Sequence, residues 1–518
     1  MKRFFLSNVF FLLVLTLSVF TIYGKSIFFG FSYYDDDSLI IDNVNYISDI
    51  RNIPYFFTES CFHSKDYLYY RHLLTLSFSI ESLLFKTNPE IYHFDNILLF
   101  LAAVFLIYIL LLKLNFNKNL SKLVCFLFSV HPVFTSCIVW IPARNDTLFV
   151  IFLCLSLICF INYLNYNKIK LFILQCLFFT AALFTKETAI VLIPVYCLLI
   201  YCFNYKVSKK QIMYNLYVLP VILLAYFILR AKAVPEPDLI YFIANWKLSV
   251  TQILTGLAAY TDNFLFPDYM PVILYNVSLD TGTIIVNIAA ILIIVFFCYK
   301  RYITKKTVLF GLFWITAFLI PTFMQREYAF LLHRFMPASI GAIIIITAAA
   351  EKILEKNKNI KIYFVIFFVL LAAVFSYLSY LQENKYKNAN KYWIYAYTDA
   401  KNYHIVCQGL AKRYLYAGNY KRAKELLFEA KKLKNLYSYD LDIATVSIAE
   451  GKLDEAENRL LRLIKLKEAE PALRYLSEIY LAKGDIQKSF FYAEKALAAD
   501  SDDKLLLKHI EKLKSLNR

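Results

Sequence analysis

Apolar runs long enough to cross a bilayer recur from residue 4 to residue 380 of this chain, and nothing else constrains its fold as tightly. A helical span takes about 20 such residues, because in hydrocarbon the backbone must satisfy its own hydrogen bonds. The runs lie at 4–24, 96–112, 120–140, 147–166, 171–185, 188–204, 213–230, 282–299, 307–323, 335–350 and 362–380. With 59% hydrophobic and 18% charged residues over 518 positions, they cannot all be the core of a soluble domain. The fold class is therefore predicted as all-α: a polytopic transmembrane helical bundle of about eleven spans, followed by a C-terminal α-solenoid. The opening MKRFFLSNVFFLLVLTLSVFTIYG has the basic start of a signal peptide but no small-x-small cleavage site, and reads as an uncleaved first span.

Charge decides the sides. The formal net charge of +17 could suggest nucleic acid, but in a polytopic chain it belongs to cytoplasmic loops, and no nucleic-acid partner is expected. With Lys2 and Arg3 inside, every inside loop is basic: Lys113/Lys118/Lys122, Lys168/Lys170, Lys206/Lys209/Lys210, Lys300/Arg301/Lys305/Lys306 and Lys352/Lys356/Lys358/Lys361. Counting 248–267 as a span would invert this, so that stretch, with Asp262 and Asn263, reads as a non-spanning helix at the outer interface or tucked into the bundle. The C-terminus is then extracytoplasmic. None of the ten cysteines forms a CxxC pair; Cys125, Cys154, Cys159, Cys176, Cys197, Cys202 and Cys298 sit in apolar runs and read as small buried hydrophobes.

From about residue 400 the pattern changes to helices rich in Lys, Glu, Ala and Leu. LYAGNYKRAKELL, IAEGKLDEAENRL and LAKGDIQKSFFYA align with Gly418, Gly451 and Gly484 spaced 33 apart. Ala411, Ala444 and Ser477 keep that spacing, as do Ala423, Ala456 and Ser489. Small residues there let two helices approach closely and Gly permits the turn between them, which is the tetratricopeptide pattern. The division is read as 1–385 for the membrane domain, with a first outer loop at 25–95, a linker at 386–400, and repeats at 401–518. Such solenoids bind a protein partner or stiffen the molecule.

The same topology places Asp35–Asp37, Arg71, Arg144, Asp146, Lys186, Glu187, Arg326, Glu327, His333 and Arg334 on one side of the membrane. Three adjacent acids repel, so one has its pKa raised. A carboxylate at the end of the first span can take a proton from an attacking hydroxyl. Arginines and a lysine nearby can stabilise a departing phosphate, Arg through its bidentate fork. Glycosyl transfer from a lipid phosphate needs these two kinds of group on opposite faces of the anomeric carbon. Asp35, Asp36 and Glu187 could instead hold a divalent cation, which is the less favoured reading; no cofactor is assigned and the metal assignment is none.

The order of YDD after the first span, then YRHLLTLSFSIESLLFKTNPEIYHFDN, HPVFTSCIVWIPARNDTLF and FTKETAIVLIPV, with the terminal repeats, resembles one family. These are the transmembrane-and-tetratricopeptide-repeat protein O-mannosyltransferases and their bacterial relatives, polytopic enzymes of the GT-C-like class that use lipid-phosphate sugars. The family's acidic pair falls on Asp35 and Asp36, followed by Ile40, Ile41 and Asn43. Its later elements fall on Tyr70 and Arg71, His93 and Asn96, His131 and Pro132, Arg144 and Asp146, Lys186 and Glu187, and Arg334 and Pro337. His72 stands where Pro is usual, Thr185 replaces a Ser, and His333 occupies a position that is commonly Glu. The resemblance implies an inverting transferase with Asp35 or Asp36 as general base and Arg71, Arg144, Lys186 and Arg334 at the donor phosphate. His93, His131, Asp146 and Glu187 would support them, with both histidines expected to serve the helix backbone.

The leading expectation is transfer of a hexose, mannose by the resemblance, from a polyprenyl phosphate to Ser or Thr of an extracytoplasmic protein. The alternatives are a transferase or ligase acting on a lipid or envelope glycan, and a non-catalytic membrane scaffold with a docking domain. A transporter fits less well, since the ionisable groups gather at one surface and not at the midplane. Low Gly and heavy use of Lys, Ile, Asn, Tyr and Phe point to an AT-rich genome, and hence to a bacterial inner membrane with the repeats in the periplasm.

Overall fold

The computed structural model describes all residues except 1, 63–68, 235–249, 276–279, 324–328, 466–469, 500–503 and 517–518. Arg326 and Glu327 lie outside the described residues. Among the described residues the structure is all-α apart from one two-residue antiparallel pairing of Leu274–Tyr275 with Ala329–Phe330, Leu274 opposite Phe330. Contacts divide the chain into two compact units, Met1–Tyr392 and Trp393–Arg518.

Among the described residues of the first unit, eight helices are long and apolar enough to cross a membrane: Asn8–Phe28, Pro89–Lys113, Ile141–Tyr166, Lys209–Ala233, Thr281–Tyr299, Lys305–Phe323, Leu332–Lys356 and Lys361–Tyr386. A ninth is the pair Lys118–Ser129 and Pro132–Val139, bent by 56°. Two shorter apolar helices, Ile169–Thr185 and Glu187–Cys202, fall on the predicted runs 171–185 and 188–204, so nine at most of the eleven expected spans are long enough to cross among the described residues. The protein is an integral, multi-pass membrane protein. Of the cysteines expected to be buried, Cys125, Cys154, Cys159 and Cys202 are, Cys176 and Cys298 are partly so, and Cys197 is exposed. A cysteine in an apolar run can face lipid as readily as protein.

Local chemistry explains the interruptions. At the 56° bend Pro132 has no N–H to continue the helix. His131 lies extended there and its Nδ1 accepts from the backbone N–H of Val133 at 3.2 Å. Its other nitrogen therefore carries the proton and donates to the Phe264 carbonyl at 2.9 Å. Helix Val250–Leu265, with 16 described residues, packs against the bundle. Its Tyr260 hydroxyl donates to the Leu331 carbonyl at 3.0 Å, and a Cβ on its Gly256 would meet Phe323 at 2.3 Å. Helices Lys305–Phe323 and Phe335–Lys356 cross at Gly311 and Gly341, where a Cβ on Gly341 would lie 2.5 Å from the Gly311 carbonyl oxygen.

The segment between the first two long apolar helices packs its own small core of Phe31, Leu39, Ile40, Ile47, Phe56, Leu74, Phe78 and Tyr92, closed by Ile141. Full burial of each aliphatic or Phe side chain is worth about 1.5–3 kcal/mol, enough to hold a loop that otherwise has only short helices. Lys25 at the end of the first span pairs with Glu383 near the end of the last at 2.8 Å, and the Gly30 N–H donates to the Lys387 carbonyl at 3.1 Å.

The second unit is built of helical hairpins: His404–Tyr416 with Tyr420–Leu433, Tyr437–Ala449 with Leu453–Leu463, and Glu470–Ala482 with Ile486–Ala499, then helix Lys504–Leu516. Gly418, Gly451 and Gly484 have φ of 73°, 82° and 79°, values that suit glycine. All three end their helix alike: Asn419, Lys452 and Asp485 donate back to the carbonyls of Tyr414, Ser447 and Tyr480 at 2.8–2.9 Å, a Schellman closure. The paired small residues are buried. In the third hairpin Ser477 and Ser489 replace alanines, and their hydroxyls lie 3.1 Å apart, so the buried oxygens are satisfied.

Candidate active site

One cavity of about 220 Å³ opens where several helices of the first unit end. Its wall carries Asp35 from the loop after the first long helix, Arg71 at the start of helix His72–Phe85, and Asn145 and Asp146 in the first turn of helix Arg144–Tyr166. Lys186 and Glu187 come from the break after helix Ile169–Thr185, and His333 and Arg334 from the turn before helix Phe335–Lys356. Trp140, Tyr69, Cys61 and Thr188 are among the other lining residues. Two helix N-termini, at Arg144 and Phe335, thus meet the cavity with their positive ends, which favours an anion there.

The two acids of the loop divide their work. Asp36 is buried, and its Oδ2 accepts from the Ser32 N–H at 2.5 Å, the Ser32 hydroxyl at 2.6 Å and the Tyr33 N–H at 3.1 Å. Trp140 Nε1 donates to the same Ser32 hydroxyl at 3.1 Å and to the Tyr34 carbonyl at 3.2 Å. Tyr34 in turn stacks on Trp140 and Tyr392, with ring centroids 5.5 and 5.8 Å away. Held this way, the chain takes a left-handed conformation at Asp35, φ 70°, a cost of about 1–2 kcal/mol for a residue with a side chain. The result is that Asp35, half-buried, lines the cavity, while Asp36 builds the turn that presents it. The Asp35 carboxyl is pushed up to about 7, first by burial and then by the Asp37 carboxylate, against the pull of Arg334 and Arg71. Burial pushes Asp36 up to about 7 as well, opposed by its hydrogen bonds from Ser32.

On the basic side, Lys186 Nζ donates to Asp146 Oδ1 at 2.5 Å, with His333 Nε2 3.8 Å from the other oxygen of that carboxylate. Burial draws the Lys186 ammonium downward, and Asp146 works against that. Arg71 lies over the Tyr69 ring at 4.3 Å, and its Nε approaches Glu187 at a long 3.5 Å, with no hydrogen bond from that nitrogen among the described residues. Glu187 also accepts from the Tyr70 N–H at 3.4 Å.

Arg144 is not brought to the cavity, and this corrects its expected place at the donor phosphate. Its guanidinium is buried behind the wall, paired with Glu81 at 2.7 Å. It also donates to Asn96 Oδ1 at 2.6 Å and the Tyr92 carbonyl at 2.9 Å, and sits over the Phe78 ring at 4.7 Å. A guanidinium so fully engaged is a tie between helices, with little left for a ligand. His93 is buried against Phe29, and His131 serves the bend described above; neither lines the cavity. Of the three acids Asp35, Asp36 and Glu187, Asp35 and Glu187 line the cavity while Asp36 turns to Ser32.

Residues 75–229 match the family described as dolichyl-phosphate-mannose-protein mannosyltransferase. Over 158 residues the chain is 29% identical to protein O-mannosyl-transferase TMTC3 of Mus musculus, covering 29% of this chain and 16% of that protein. It is 31% identical over 140 residues to the Homo sapiens TMTC3, covering 25% and 14%, and 31% over 135 residues to tmtc2 of Xenopus laevis, covering 25% and 16%. Over this stretch the chain is similar to proteins named as protein O-mannosyl-transferases. The aligned part is 14–16% of the length of those curated relatives. The family match takes in Asn145, Asp146, Lys186 and Glu187 but neither Asp35, Arg71 nor Arg334, which the fold delivers to the same cavity from outside it.

Sequence reasoning passed over Trp140 and Asn145. Both lie in the quoted HPVFTSCIVWIPARNDTLF, and the signal for Asn145 was present: three consecutive polar residues, Arg144, Asn145 and Asp146, open an otherwise apolar span. A helix places successive residues about 100° apart, so the three cannot share a face, and each needs its own partner.

Proposed function

We propose that this protein is an integral membrane glycosyltransferase that moves a sugar, mannose, from a polyprenyl phosphate to a hydroxyl of a protein acceptor, with inversion. The observation that carries the reading is the placement of Asp35 in one cavity with Arg71, Lys186 and Arg334. The relatives named as protein O-mannosyl-transferases support mannose and a protein acceptor, and the description of the matched family supports a lipid-phosphate donor. Asp35 takes the proton of the acceptor hydroxyl as its oxygen bonds to the anomeric carbon. The bond from that carbon to the phosphate oxygen breaks, and its electron pair leaves with the polyprenyl phosphate. The departing group gains a negative charge, which Arg71, Lys186 and Arg334, together with the two helix N-termini, stabilise as it develops. A base near pH 7 suits that task, being ionised at neutral pH yet still basic enough to hold the proton.

In this reading the cavity faces the extracytoplasmic side, and the terminal hairpins, read as tetratricopeptide repeats, hold the protein substrate or a partner. The compositional bias supports a bacterial inner membrane with those repeats in the periplasm. The test is reconstitution of the full chain in vesicles with polyprenyl-phosphate mannose and Ser/Thr-containing peptides. The expected product is a mannosylated peptide whose anomeric configuration is opposite to the donor's. Mannose appearing only on lipid or glycan, or product of retained configuration, would contradict the proposal.

A further inference from the structure

Asn145 is buried, lines the cavity, and has neither its amide nitrogen nor its amide oxygen hydrogen-bonded among the described residues. Buried polar side chains with no partner are uncommon in native structures, and leaving one so costs about 1–3 kcal/mol. Other buried polar atoms are unpaired among the described residues, both His93 nitrogens for one, but Asn145 is set apart by lining the cavity, where a ligand can meet its amide. An amide presents a donor and an acceptor side by side. A phosphate diester offers acceptors alone and would satisfy just the nitrogen. Adjacent hydroxyls of a sugar ring do both, one donating to Oδ1 and the other accepting from Nδ2. The neighbouring charges are already suited to the phosphate, so a neutral amide on the same wall is suited to the part of the donor that carries no charge.

We infer that Asn145 is the residue that reads the sugar, binding a pair of adjacent ring hydroxyls on the donor; this rests on the donor reading proposed above. A site built to hydrogen-bond a hydroxyl discriminates strongly against the analogue lacking it, because its own polar atoms are then left unpaired. The residue next to it, Asp146, is held by Lys186 at 2.5 Å, so the first turn of the helix that carries the amide is fixed in place.

The test uses the full chain in detergent with four probes: polyprenyl-phosphate mannose, its forms lacking one ring hydroxyl, bare polyprenyl phosphate, and no ligand. Wild type and Asn145→Leu, close in volume, are compared for ligand-free thermal unfolding and for Kd. The inference expects Asn145→Leu to unfold at the same or a higher temperature, since it removes a buried amide with no protein partner. It expects wild type to bind the mannosyl lipid roughly 10- to 100-fold more tightly than the least favoured deoxy form. Asn145→Leu should lose that preference while binding bare polyprenyl phosphate as wild type does. A variant that unfolds early or fails to fold makes Asn145 structural and overturns the inference, as does one that keeps the preference or weakens all lipids equally. In each of those cases a wild type that still prefers the mannosyl lipid to the bare phosphate leaves the donor reading standing. If wild type shows no such preference, the donor reading falls and the inference falls with it.

Discussion

The cavity wall around Arg71 and the polar knot around Arg144 are made of the same residue types, and both arginines were expected at the donor phosphate. They differ in how completely their charge is met. Arg144 has an ion pair with Glu81, hydrogen bonds to Asn96 and Tyr92, and an aromatic ring beneath it. Arg71 has one long ion pair and a ring. A buried cation with each of its nitrogens engaged ties elements together, whereas one left partly unmet at a cavity is available to a ligand.

That contrast breaks most visibly if the wrong arginine governs folding. Arg144→Ala should destabilise the membrane unit by about 3–5 kcal/mol, since Glu81 is left buried without its partner. Thermal unfolding in detergent measures it, and an Arg144→Met/Glu81→Leu double variant should recover much of the loss. Should Arg144→Ala unfold normally and lose only transfer, the assignments of the two arginines would have to be exchanged. For Arg71→Ala the expectation is reversed: kcat/KM for the donor falls about 100-fold, while stability changes by less than about 1 kcal/mol, as for a weakly paired, partly exposed cation. Arg71→Lys should restore only part of the activity, because the ammonium lacks the bidentate fork.

The hairpin unit gives a smaller effect that sharpens the same contrast between scaffold and site. Gly451→Ala forces a side chain into a left-handed turn and should cost about 1–2 kcal/mol. Hydrogen exchange across 437–463 should report the loosening, with sugar transfer to a short peptide unaltered. The smallest effect is electrostatic. Asp35 must be ionised to accept a proton, so kcat/KM should rise with pH through about 7 and fall below it. Asp37 holds that pKa up by repulsion, so Asp37→Asn should move the acid limb to lower pH by less than about one unit, read from a pH–rate profile.

The spans were legible because each is a long apolar run, and the bend at Pro132 because proline lacks the N–H a helix needs. The hairpins were legible because Gly418, Gly451 and Gly484 sit at turns that suit glycine. The site was legible only in part. That Asp35, Arg71, Lys186, Glu187 and Arg334 share one wall agrees with their placement on one side of the membrane. Which acid points inward was not written locally: it depends on Ser32 and Trp140 holding Asp36, and Trp140 is more than a hundred residues away. The role of Arg144 was hidden for the same reason, since Glu81 and Asn96 meet it only in three dimensions. Asn145 was missed because an unmet amide is defined by what does not surround it.

The most direct test of this account is to compare Asp35→Asn and Asp36→Asn in the reconstituted full chain, measuring transfer from polyprenyl-phosphate mannose beside thermal unfolding. Asp35→Asn should lower kcat by about 100-fold or more with its unfolding temperature intact, as expected for loss of a general base. Asp36→Asn should keep its unfolding temperature and most of its transfer, because an amide oxygen can still accept from Ser32 and Tyr33 and burial already disfavours the charge there. An Asp35→Asn protein that transfers sugar within a few-fold of wild type would contradict the assignment of the base, and with it the central claim about this cavity.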